Sequence, residues 1–88
     1  MGLLSDHMVC TVEGHIVEVE TANKIIMFSY RLIIDNKPVG SRSGVLGTQT
    51  LRGFLGDEPV IVTVKQGFLG TKYALSVAGR EYAFEKIH

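Results

Sequence analysis

The chain has no tryptophan, two prolines and a single cysteine. One cysteine, Cys10, excludes an internal disulfide framework and suits a reducing compartment, so a cytoplasmic protein is expected. Excess charge of either sign is absent as well: nine Lys and Arg balance nine Asp and Glu. A chain with no net charge offers no basic field to a nucleic-acid backbone or an anionic lipid. It also does little to oppose its own association, so weak homodimerisation fits. No apolar run reaches the ~18–20 residues of a membrane-spanning helix. Residues 1 to 8 lack both the cationic start and the apolar core of a signal peptide. They read instead as a loose tail, and His7-Met8 looks like a residue pair left by cloning.

What is present is strand. Hydrophobic residues make up 45% and charged residues 20% of 88, enough for one small globular domain over residues 9 to 88. Val60, Val62 and Val64 alternate with Ile61, Thr63 and Lys65, the period-two signature of a half-buried strand. Tyr73, Leu75 and Val77 repeat the pattern, and Tyr82 and Phe84 continue it. Upstream, Val17 and Val19 alternate with Glu18 and Glu20, with a bulge or turn at Gly14-His15 behind Cys10 and Val12. Over Ile25 to Ile34 every even position is apolar or aromatic, and this reads as the central strand. Asp35-Asn36-Lys37 is a hairpin turn signal. Pro38 to Ser43 returns as a short edge strand, since proline has no N–H to donate. Thr48 to Phe54 is a further strand, and Gly56 to Pro59 a loop. Glycine and β-branched residues interrupt every helical period.

The pattern echoes itself. Ile16 to Glu20 resembles Ile61 to Lys65 at an offset of 45, and Tyr30 to Lys37 resembles Tyr73 to Arg80 at an offset of 43. One two-residue gap aligns them. The expected architecture is all-β: a small antiparallel sandwich, or a partly closed barrel, of about seven or eight strands in two similar halves. Tyr30 and Tyr73 should hold equivalent, largely buried places.

Reactive chemistry is sparse. The histidines are His7, His15 and His88, spread between the tail, a turn and the last residue. Catalysis needs titratable groups that converge, and a metal needs three or four ligands, which no spacing here supplies. Cys10 reads as a small buried hydrophobe, and Glu18 and Glu20 as a solvated strand face. No enzyme, cofactor or metal is expected. Gly53-Phe54-Leu55-Gly56 recurs as Gly67-Phe68-Leu69-Gly70. Such a spacing clamps nucleic acid where it joins two helices, but here both copies border strands. Each Phe-Leu pair either folds back as a lid on the core or stands out as an exposed apolar tip at one end of the strand between them. Phe54, Leu55, Phe68 and Leu69 are therefore the candidate interaction residues. The Pro38 to Gly47 edge would offer a second contact route.

Three pieces carry a family likeness: His15-Ile16-Val17-Glu18-Val19-Glu20, the turn Ile33-Ile34-Asp35-Asn36-Lys37, and Gly67-Phe68 through Tyr73 to Arg80. They resemble, in turn, a His-x-Ile/Val-Glu strand, a Val-Asp-Gly-Lys turn and an aromatic strand ending in a Gly-Lys turn of the Fas apoptotic inhibitory molecule family. The likeness covers residues 9 to 87 and corresponds to one β-sandwich of that family, of which animal members carry two. It departs from the family at the tryptophan that precedes a Met-Phe pair there. The resemblance implies a non-enzymatic protein-interaction domain, with a role in apoptosis regulation in an animal source. The competing expectation is a small-ligand or lipid-binding domain with a pocket between the sheets, lined by Phe28, Tyr30, Tyr73 and Phe84. Packing favours the first, because few large side chains leave little room for such a pocket once the core is filled.

Overall fold

The computed structural model describes residues 5–24, 27–45, 47–67 and 70–87. Among these it forms nine strands and no helix: β1 (Ser5–Val12), β2 (His15–Lys24), β3 (Met27–Ile34), β4 (Lys37–Gly44), β5 (Gly47–Leu55), β6 (Glu58–Gln66), β7 (Thr71–Val77), β8 (Arg80–Tyr82) and β9 (Glu85–Lys86). Every pairing is antiparallel. One sheet runs β4-β3-β2-β1-β9 and the other β5-β6-β7-β8. β1 to β4 and β5 to β8 follow one another as meanders, and β9 crosses from the second sheet to the edge of the first beside β1. Glu13-Gly14, Asp35-Asn36 and Ala78-Gly79 all carry positive φ, between 51° and 83°. Two left-handed residues in a row are what a type I′ hairpin requires, and its twist matches that of the strands. Gly56-Asp57 closes the β5–β6 hairpin with Gly56 alone at φ 61°.

The two halves superimpose in register. Val17, Val19 and Thr21 face Ile34, Leu32 and Tyr30, while Val60, Val62 and Val64 face Val77, Leu75 and Tyr73. The offset is 43 (77 − 34) at every one of these positions, and no gap is needed. The offset of 45 read from β2 and β6 slides one strand by two residues. Such a slide keeps every side chain on its own face, so the alternation does not detect it. Tyr30 and Tyr73 are equivalent, as expected, with Tyr30 1% exposed and Tyr73 largely covered.

The inward faces make one core. Val12, Val17, Val19, Leu32 and Ile34 meet Leu51, Leu55, Val60, Val62, Val64, Leu75 and Val77. Each such side chain contributes ~1.5–3 kcal/mol by leaving water. β3 lies inside its sheet, one place from the centre that β2 holds.

Some expected boundaries move. The segment expected as a tail enters the sheet at Ser5, where Ser5 to Val12 pair with β2. The reversal expected at Gly14-His15 sits one residue earlier. Glu58 and Pro59, expected in a loop, belong to β6. After Tyr82 the chain leaves one sheet and joins the other, where β9 pairs with Met8 and Val9 of β1. Ile87 N–H also donates to the His7 carbonyl at 2.9 Å.

Candidate functional site

Several titratable groups hold turns and strands together. His15 Nδ1 lies 2.6 Å from Asp35 Oδ2, and the Ile16 N–H donates to Asp35 Oδ1 at 2.9 Å. These bonds tie the start of β2 to the β3–β4 turn. They hold the Asp35 carboxyl below the usual aspartate range, with the His15 bond as the larger cause and the Ile16 N–H second. Glu20 pairs with Arg31, Glu18 with His7, Glu13 and Glu58 with Arg80, and Asp6 with Lys86. Cys10 packs against the core, and burial, then the charge of Glu85, raises its thiol pKa. A raised pKa disfavours the thiolate that a nucleophile needs. Among the described residues, no group of three His, Cys, Asp or Glu side chains could hold a metal ion. No helix there is long and apolar enough to cross a membrane.

The Gly53 to Gly56 copy lies at one end of the sandwich. Phe54 is 67% exposed, the most exposed large apolar side chain among the described residues, whereas Leu55 is 7% exposed and belongs to the core. The expected Phe-Leu tip is therefore split. The cause is that both residues lie in β5, where neighbours point to opposite faces. Gly53 is not a turn residue either. A Cβ there would come within 3.0 Å of Ile34 Cδ1 and 3.1 Å of Val39 Cγ2, so glycine lets β4 and β5 approach. Val39, 46% exposed, thus packs beside the residue that precedes Phe54, and Pro59 pairs with Phe54 from β6. The second copy lies at the far end of β6, where the Gly67 N–H donates to the Gly70 carbonyl at 2.9 Å. Phe68 and Leu69 themselves lie outside the described residues.

The four rings expected around a ligand pocket pack instead into the core or against it. Tyr73 and Phe84 meet edge to face with centroids 6.3 Å apart. The Tyr73 hydroxyl lies 2.6 Å from Thr21 Oγ1 and donates to Asp6 Oδ2 at 3.1 Å. Burial above all, with the Asp6 charge adding to it against the Thr21 bond, pushes the Tyr73 phenol up to about 12. The hydroxyl of Tyr30 donates to Gln66 Oε1 at 3.2 Å. Gln66, 8% exposed, also accepts from Thr71 Oγ1 at 2.6 Å. Its Nε2 donates to the carbonyls of Gly67 and Gly70 at 3.1 and 3.4 Å.

Clefts open at the surface among the described residues. A small one of about 150 Å³ follows the seam between the edges of β4 and β5, lined by Gly40 to Arg42 and Thr50 to Arg52. A larger one of about 790 Å³ lies at the Gly67 end, between Gly47-Thr48, Lys65 to Gly67 and Gly70 to Lys72. Sequence reasoning marked the glycines of this end but not the lysines, since their meeting depends on the β6–β7 register. No family model, curated protein or solved structure matches this chain.

Proposed function

We propose that this chain is a non-enzymatic protein-interaction domain, of the kind its resemblance to the Fas apoptotic inhibitory molecule family implies, and that it docks through the end carrying Phe54. The observation that carries this reading is the contrast within one dipeptide: Leu55 is 7% exposed and Phe54 67%. Keeping a phenyl ring in water forgoes ~1.5–3 kcal/mol that a partner's surface can recover. Large aromatic anchors dominate the binding energy of protein interfaces. Pro59, the cross-strand partner of Phe54 on β6, extends the apolar character beside the ring. A lone thiol held protonated suits a reducing setting such as the cytoplasm, and apoptosis control is the pathway the resemblance names for animals.

The test places a photo-reactive phenylalanine analogue at position 54, or at Thr63 on the same outer face, in the source cell. A discrete protein adduct from position 54 and none from position 63 supports the reading. Equal labelling from both positions, or none from either, overturns it.

A further inference from the structure

We propose that the cleft at the β6–β7 end binds a small phosphate-bearing ligand, held between Lys65 and Lys72. The proposal is independent of docking through Phe54, which lies at the other end of β6. Lys65 and Lys72 are direct cross-strand partners, and Thr48 faces Lys65 from β5. Directly opposite residues in an antiparallel pair stand ~4.5–5.5 Å apart at Cβ, and like charges there repel. Arg31, Arg80 and Lys86 have carboxylate partners, whereas among the described residues Lys37, Arg42 and Arg52 form no ion pair. Among the described residues no carboxylate pairs with Lys65 or Lys72, and none lines the cleft. A dianion turns this repulsion into attraction for both ammonium groups at once.

The rest of the lining suits oxygen-rich anions. Thr48 supplies a hydroxyl group, while the Thr71 hydroxyl is already committed to Gln66 Oε1. The positions where Gly47 and Gly70 would carry a Cβ are open, so a ligand can reach the backbone there. The carbonyls of Gly67 and Gly70, which would repel an anion, both accept from Gln66 Nε2. A volume of about 790 Å³ falls within the ~300–1,000 Å³ of small-molecule sites, which favours a phosphorylated small molecule over a polymer.

The probe is inorganic phosphate, added at constant ionic strength against chloride and followed by amide chemical shifts. Saturable shifts are expected at Gly47, Thr48, Gln66, Gly67, Gly70 and Thr71. Lys65→Gln/Lys72→Gln, both exposed positions that leave the fold intact, should weaken binding at least tenfold. Arg42→Gln/Arg52→Gln, at the seam, should leave it unchanged. Non-saturating shifts at every cation, or equal affinity in the lysine variant, overturn the proposal. Phe54→Ser should not alter phosphate binding, so either proposal can fail alone.

Discussion

Replacing Gln66 by methionine isolates the polar knot that joins the two sheets. Gln66 keeps its volume in that change but loses four bonds: from Tyr30, from Thr71, and to two glycine carbonyls. Thr71 and the glycines have access to water and recover partners there. The Tyr30 hydroxyl has none, because the residue is 1% exposed. An orphaned buried donor costs ~1–3 kcal/mol, so Gln66→Met should lose about 2 kcal/mol. For a domain of this length that lowers Tm by roughly 10 °C. Tyr30→Phe alone should cost about 1 kcal/mol, since Gln66 keeps its Thr71 bond. The double variant removes the orphan, so its loss should fall about 1 kcal/mol short of the sum. The assay is urea unfolding followed by far-UV circular dichroism, because the chain has no tryptophan to report. If the two losses add within ~0.3–0.5 kcal/mol, the coupling through this buried bond is refuted.

At alkaline pH the raised Tyr73 phenol binds its proton more tightly folded than unfolded. Its contribution is full below the unfolded value of about 10 and fades as pH rises through the folded value. Tyr73→Phe should remove the late step in the phenolate absorbance titration and flatten the alkaline loss of stability. Asp35 works in the other direction: its lowered carboxyl contributes above about pH 3.9 and loses that contribution as pH falls through the folded value. The stability gap between wild type and Asp35→Asn should therefore stay full above about pH 3.9 and close as pH falls below it, as acid unfolding curves would show.

The parts of the fold that were legible in the sequence are those fixed by neighbours in the chain. Asp35-Asn36 tolerates left-handed backbone whatever surrounds it, and the turn forms there. Val60 to Val64 alternates because one face of that strand meets the core, and it does. What escaped depends on partners distant in sequence. Glu85-Lys86 is too short to show a period and is a strand only because β1 offers it an open edge. Ser5 to His7 is polar and reads as a tail, yet its backbone pairs with β2 and its Asp6 meets Tyr73 and Lys86. At the candidate site, Phe54 and Leu55 were recognised together, but their separation required knowing that β5 runs through both. Lys65 and Lys72 show no motif at all, because only the hairpin register sets them face to face.

The central claim is that Phe54 serves a contact and not the core. Equilibrium urea unfolding of Phe54→Ser tests it most directly, read against the ±0.5 kcal/mol expected of exposed positions. The account predicts a stability within that margin of wild type, while Leu55→Ala, one residue on, loses ~2–5 kcal/mol. A loss of 2 kcal/mol or more at position 54 would make the ring a structural element and contradict the claim.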